Sequence, residues 1–262
     1  MNYNIKNKTA LVTGGANGIG EAISEKLASE GVNLIVTSRT VKNINLLKKK
    51  LKKYNINVQG ITLDFLKKNW KNNLTKNISK FKNIDILVNN AGHNLEITNP
   101  YCDISDWKKL FDLNFFSIVE LTNLVIKKMK KKKWGRIVNI SSVAAFENMG
   151  PVTYCVAKSS VAVYSHVMGR ILATEDKNIV MTCILPGVVK TKNGHWSKVS
   201  KTDPARLKKY IKERCPLGRF GTSEEIADAV LYHCSDLASF SHGSIISVDG
   251  GQSKNYMSFN YL

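Results

Sequence analysis

The chain has 262 residues, 43% of them hydrophobic, and a formal net charge of +19, which excludes a disordered polyelectrolyte and suits one large α/β domain with a sizeable core. Its five cysteines, at 102, 155, 183, 215 and 234, lack C-x-x-C spacing, so neither a zinc site nor a disulfide framework is expected, and no other metal ligand set stands out. No apolar run approaches the ~18 residues that a membrane span requires.

In chain order, Lys8-Thr-Ala-Leu-Val-Thr13 reads as a buried strand that begins too early for a signal peptide to precede it, so a cytoplasmic location is expected. It runs into Gly14-Gly-Ala-Asn-Gly-Ile-Gly20 and then a helical pattern over 21–30. Glycines at 14, 18 and 20 strip Cβ atoms from the turn, so a diphosphate can approach the free amides of a helix N-terminus. A glycine pattern alone is weak evidence, but strand before and helix after are the context of a dinucleotide site. Further strands are predicted at 32–37, 58–63, 84–88, 135–140, 180–185 and 244–248, and helices at 41–54, 67–81, 104–133, 152–173 and 223–235. The densest lysine run, 127–133, falls at the end of a predicted helix, where cations favour the macrodipole and solvent. The other lysines are spread over nearly every helix exterior, so no nucleic-acid partner is expected.

Regular alternation predicts a parallel sheet of about seven strands covered on both faces, with ligands outside the carboxyl ends of the strands. The candidate chemistry falls there. The glycine turn follows the first strand, Asn89-Asn-Ala-Gly92 the fourth, Ser141-Ser142 the fifth and Pro186-Gly187 the sixth. Within the helix over 152–173, Tyr154 and Lys158 are one turn apart on one face. Free tyrosine titrates near ~10, and a unit charge about 5 Å away, at an effective dielectric of about 20, favours the phenolate by roughly 3 kcal/mol. The spacing thus allows a proton donor with its electrostatic partner, but by itself it equally describes an amphipathic helix with a packed tyrosine and a solvated lysine.

From Thr9 to Gly251 the chain resembles the short-chain dehydrogenase/reductase family of the compact, single-domain type. The resemblance rests on Thr13-Gly-Gly-Ala-Asn-Gly-Ile-Gly20, Asn89-Asn-Ala-Gly92, Asn114, Asn139-Ile-Ser-Ser142, Tyr154 with Lys158, Pro186-Gly187 with Thr191, and Val248-Asp-Gly-Gly251. It implies a Rossmann doubly wound α/β fold over 1–262, with a substrate lid near 190–215. It also implies hydride transfer between nicotinamide and a carbonyl or secondary alcohol, with Asn114, Ser142, Tyr154 and Lys158 as the catalytic tetrad. Ser142 stands twelve residues before Tyr154, one fewer than is common in the family, which leaves Ser141 as a rival. The implied cofactor contacts are Gly14, Asn17, Gly18, Ile19, Gly20, Ser38, Arg39, Asp64, Phe65, Asn90, Ala91, Gly92, Tyr154, Lys158, Pro186, Gly187, Val189 and Thr191. Ser38 occupies a place where NAD-preferring relatives tend to carry Asp, and Arg39 can pair with a 2′-phosphate, which favours NADP(H) while leaving NAD(H) open.

Substrate contacts are expected from His93, His195 and Trp196, and the substrate is a 3-oxoacyl thioester or a sugar or sugar nucleotide. Two other readings compete: a sugar-nucleotide epimerase or dehydratase, and a non-catalytic dinucleotide-binding protein. The first is disfavoured because such chains usually place two residues between the first glycines, whereas Gly15, Ala16 and Asn17 lie between Gly14 and Gly18 here. The second is disfavoured because all four members of the tetrad are present. By the same resemblance the chain forms a homodimer or homotetramer through its two long helices, and the aromatic tail 252–262 covers a neighbouring subunit or frays.

Overall fold

In the computed structural model, which describes residues 2–147, 149–192 and 194–254, seven strands form one parallel sheet in the order β3-β2-β1-β4-β5-β6-β7. They are β1 (Thr9–Val12), β2 (Asn33–Ser38), β3 (Val58–Thr62), β4 (Ile86–Asn89), β5 (Gly135–Ile140), β6 (Ile179–Pro186) and β7 (Ile245–Val248). Side chains alternate across the sheet and sort the core into two layers. Ala10, Val12, Leu34 and Val36 pack on one face with α1 (Gly18–Ser29), α2 (Val41–Leu51) and α9 (Ser223–His233). Leu11, Ile35, Leu87 and Ile137 face the other way, toward α3 (Trp70–Ile78), α5 (Ser117–Lys132) and α6 (Val152–Glu175). Every residue of β5 and β6 is buried, as expected of parallel strands covered on both sides.

Strand β1 pairs with β2 on one side and β4 on the other, so successive crossovers leave for opposite faces at that point. A crevice opens there at the carboxyl ends of the strands.

The helix predicted over 104–133 is interrupted. It forms α4 (Ile104–Phe111), a π-helical turn (Asp112–Phe116) and then α5. Asn114 sits in that turn, fully buried, and its Nδ2 donates to Leu110 O and to His93 O, both at 2.9 Å. The side chain thus takes a carbonyl from its own helix and ties it to a loop 21 residues away, which is where a π turn replaces the regular ladder. Residues 192–215 carry α7 (His195–Thr202) and α8 (Pro204–Arg214). Asp203 starts α8 by accepting from Arg206 N at 2.9 Å, with Pro204 in the first turn. Residues 255–262, most of the aromatic tail, lie outside the described residues.

Candidate active site

The glycine turn is built for close approach. Gly14 and Gly18 have φ of +61° and +54°, and a Cβ at Gly20 would lie 2.3 Å from Gly14 O. Asn17, at the start of α1, makes no side-chain cap bond, so the first-turn amides lack an intrahelical acceptor where Asn17, Ile19 and Gly20 line the crevice. A dinucleotide diphosphate fits that arrangement, because it supplies acceptor oxygens at the positive end of the helix.

Two threonines outside the expected cofactor contacts hold this turn in place. Thr13 Oγ1 accepts from the amides of Asn90 and Ala91, each at 3.0 Å, and Thr37 Oγ1 accepts from Gly14 N at 3.1 Å. Asn90 Nδ2 in turn donates to Thr13 O at 2.9 Å. Their signal in the sequence is a threonine closing each of the first two predicted strands.

The crevice has a volume of about 480 Å³ and brings the expected cofactor residues together, with one exception. Ser38, Arg39, Asp64 and Phe65 line it beyond β2 and β3, joined by Thr40 and Asn43. Asn90, Ala91 and Gly92 line it beyond β4, and Pro186, Gly187, Val189 and Thr191 beyond β6. Gly18 is the exception. It is not among the lining residues, and an added Cβ there would meet Thr191 Cγ2 at 3.3 Å.

Ser142, Tyr154 and Lys158 face the same crevice. Burial pushes the Tyr154 phenol up to about 12, and a hydrogen bond with Ser142 pulls it back. Lys158 is 2% exposed and donates from Nζ to Ile140 O at 3.0 Å, and desolvation brings its ammonium down to about 8. Its Nζ lies 5.7 Å from the centroid of the Tyr154 ring. Asn114 lies beneath, its Oδ1 accepting from His93 N at 3.1 Å. Gly92 separates these groups: a Cβ there would be 2.7 Å from Asn114 Oδ1 and 2.9 Å from Lys158 Nζ. The two serines divide their work, since Ser141 Oγ donates to Lys158 O at 2.7 Å while Ser142 Oγ accepts from Ala144 N at 3.1 Å on the crevice wall that Tyr154 also lines.

Of the expected substrate contacts, His93 lines the crevice. Trp196 instead packs with Tyr210 of α8 and with Phe220 beyond it, at ring centroid distances of 4.2 and 5.1 Å. His195 is the first residue of α7, and its side chain lies outside the described residues.

The family model for short chain dehydrogenase matches residues 8–201. The chain belongs to that family. It is accordingly an oxidoreductase of the carbonyl and alcohol type. It is similar to the 3-oxoacyl-[acyl-carrier-protein] reductase FabG of Aquifex aeolicus, at 34% identity over 96% of this chain and 99% of that protein. It also resembles dehydrogenase/reductase SDR family member 4 of Sus scrofa, at 33% identity over 94% of this chain and 88% of that one. Among solved structures it is similar to the L-sorbose reductase of Gluconobacter frateurii complexed with NADPH and L-sorbose. There the TM-score is 0.87 at 28% identity, covering 96% of this chain and 98% of the other. Among the described residues no helix is long and apolar enough to cross a membrane, and no group of His, Cys, Asp and Glu is arranged to hold a metal ion.

Proposed function

We propose that this short-chain dehydrogenase reduces the 3-oxo group of an acyl thioester with NADPH, through Asn114, Ser142, Tyr154 and Lys158. The observation that carries the reading is that Ser142, Tyr154 and Lys158 line one crevice, with the Lys158 ammonium 5.7 Å from the centroid of the tyrosine ring. A nicotinamide held along this crevice would supply a hydride for the carbonyl carbon. Ser142 Oγ donates to the substrate oxygen and orients it beside the phenol. Tyr154 Oη, which keeps its proton at neutral pH because burial holds its pKa at about 12, gives that proton to the oxygen as negative charge develops there. Lys158 Nζ, fixed on Ile140 O, faces the phenolate that remains and favours it electrostatically. Asn114 holds the loop at His93 and keeps a polar path open toward Lys158 for returning the proton.

NADPH is favoured over NADH because residues 36–40, Val36-Thr-Ser-Arg-Thr40, contain no carboxylate to repel a 2′-phosphate, and Arg39 lines the crevice beside Ser38. The thioester reading is supported by the 34% identity to a 3-oxoacyl carrier-protein reductase over nearly the whole chain. A small ketose is the second reading, supported by the likeness to L-sorbose reductase and by the polar His93 at the crevice.

The reading of a homodimer or homotetramer is supported by an exposed apolar stripe on α6. Val152, Val156, Val163, Val167 and Ile171 are 40–57% exposed along one helix, with Phe116 48% exposed nearby in sequence to α5. A panel of 3-oxoacyl thioesters, ketoses and sugar nucleotides, followed by NADPH absorbance, tests the substrate class. Tyr154→Phe is expected to lower turnover at least a hundredfold with NADPH binding retained; near-normal turnover refutes the assignment.

A further inference from the structure

We infer that the imidazole of His93 recognises the substrate, its Nε2–H donating to a second acceptor oxygen carried beside the carbonyl that is reduced. The inference rests on the carbonyl-reductase reading above and adds the residue that selects a bifunctional substrate.

Four observations support it. First, His93 is an exposed side chain on the crevice wall, directly after Gly92, whose backbone separates Asn114 from Lys158. The residue is therefore anchored through its backbone to Asn114, on the same crevice that Ser142, Tyr154 and Lys158 line. Second, its tautomer is set by the chain. Leu95 N donates to His93 Nδ1 at 2.8 Å, so Nδ1 is the unprotonated nitrogen and the neutral ring carries its proton on Nε2. Third, among the described residues no hydrogen bond involves Nε2, which leaves a donor at the crevice without a protein acceptor. Fourth, the backbone beneath the ring is held rigidly. His93 N donates to Asn114 Oδ1 and His93 O accepts from Asn114 Nδ2, at 3.1 and 2.9 Å. Leu95 and Glu96 take left-handed φ of 53° and 59°, an unfavourable conformation for side chains with Cβ atoms, which the local bonds hold in place.

The chemistry of the donor defines what it takes. Nε2–H offers a hydrogen and no lone pair, so its partner is an acceptor: the thioester or ester carbonyl of a 3-oxo substrate, or a hydroxyl oxygen of a ketose. A simple ketone has none. Binding pockets that place a donor for such an oxygen discriminate against analogues that lack it, because the polar group is then left unpaired.

The ring also closes a turn, and that role alone would explain the Leu95 bond. The next residue shows how to separate the two. Asn94 Oδ1 accepts from Glu96 N at 3.1 Å, the same two-residue pattern, so His93→Asn keeps a turn acceptor but removes the reach of Nε2–H. The test compares wild type, H93N and H93A for NADPH-dependent reduction of ethyl 3-oxobutanoate and of 2-hexanone, which lacks the second oxygen. The readout is the ratio of the two kcat/KM values. Wild type is expected to favour the 3-oxo ester, and the ratio to fall about tenfold in both variants. A ratio that survives in H93N assigns the ring to the turn and overturns the inference, as does a wild-type ratio near one, while either result leaves the reductase reading standing. Failure of wild type to reduce the 3-oxo ester also overturns the inference, whereas the reductase reading falls only if the panel of thioesters, ketoses and sugar nucleotides shows no NADPH oxidation.

Discussion

A single methyl group at position 92 is a sharp probe of the proposed tetrad, because it removes none of its members. In Gly92→Ala the new Cβ would sit 2.7 Å from Asn114 Oδ1 and 2.9 Å from Lys158 Nζ, both inside contact distance. Restoring ordinary contact requires these atoms to retreat by about 0.5–0.7 Å. Neither is free to do so without loss. Lys158 Nζ is held on Ile140 O, and Asn114 is held at both ends by His93 and by Leu110. Overpacking of this kind costs about 1–3 kcal/mol, and giving up the His93 N bond is about 1 kcal/mol of that. A melting temperature a few degrees lower is expected. The effect on turnover is larger, since misplacing a reacting group by a fraction of an ångström to one ångström lowers rates by about a hundredfold. Gly150→Ala is the control: its Cβ would meet Tyr154 Cδ1 at 3.5 Å, ordinary contact, and kcat near wild type is expected. The assay is NADPH oxidation at saturating substrate, with NADPH affinity from fluorescence titration and stability from thermal melts. A kcat for Gly92→Ala within about threefold of wild type would refute the placement of Asn114 and Lys158 against this backbone.

Arg39→Ala is expected to lower kcat/KM with NADPH relative to NADH by about ten- to a hundredfold, as loss of a charged hydrogen bond to the 2′-phosphate requires; an unchanged preference removes Arg39 from cofactor choice. The pH dependence of kcat/KM for reduction reports the free enzyme, so activity is expected to fall as pH rises through about 8, where Lys158 loses its charge, while Tyr154 stays protonated well above that. A profile that stays flat from pH 7 to pH 10 would count against the ammonium's part. His233 is buried with Nδ1 unpartnered, and desolvation lowers it from 6.5 to about 4. Between those values the unfolded chain binds a proton that the folded chain does not, so stability is lost as pH falls through this window, by up to about 3 kcal/mol. His233→Leu is expected to shrink the change in urea midpoint between pH 7 and pH 4.5, and an equal change in both proteins would show that His233 does not drive it.

The sheet, the glycine turn and the Tyr154–Lys158 face were legible in the sequence because each obeys a local rule. Alternation of apolar residues places Ala10 and Val12 on one side and Leu11 on the other. A four-residue helical step aligns Tyr154 with Lys158, and positive φ at Gly14 and Gly18 demands glycine whatever surrounds them. Contacts between distant residues decided the rest. The π turn at Asn114 coincides with an amide that reaches His93, a contact that the helical period through 104–133 does not reveal. Trp196 finds its partners in Tyr210 and Phe220 rather than in the crevice, a choice that packing makes and proximity in the sequence does not. Ser141 and Ser142 are neighbours in an extended segment, and only the position of α6 ties one to Lys158 O while the other lines the crevice with Tyr154. The phenol's raised pKa belongs to the same class. Spacing sets how far a charge stands along a helix, whereas desolvation depends on everything the finished fold packs around the ring.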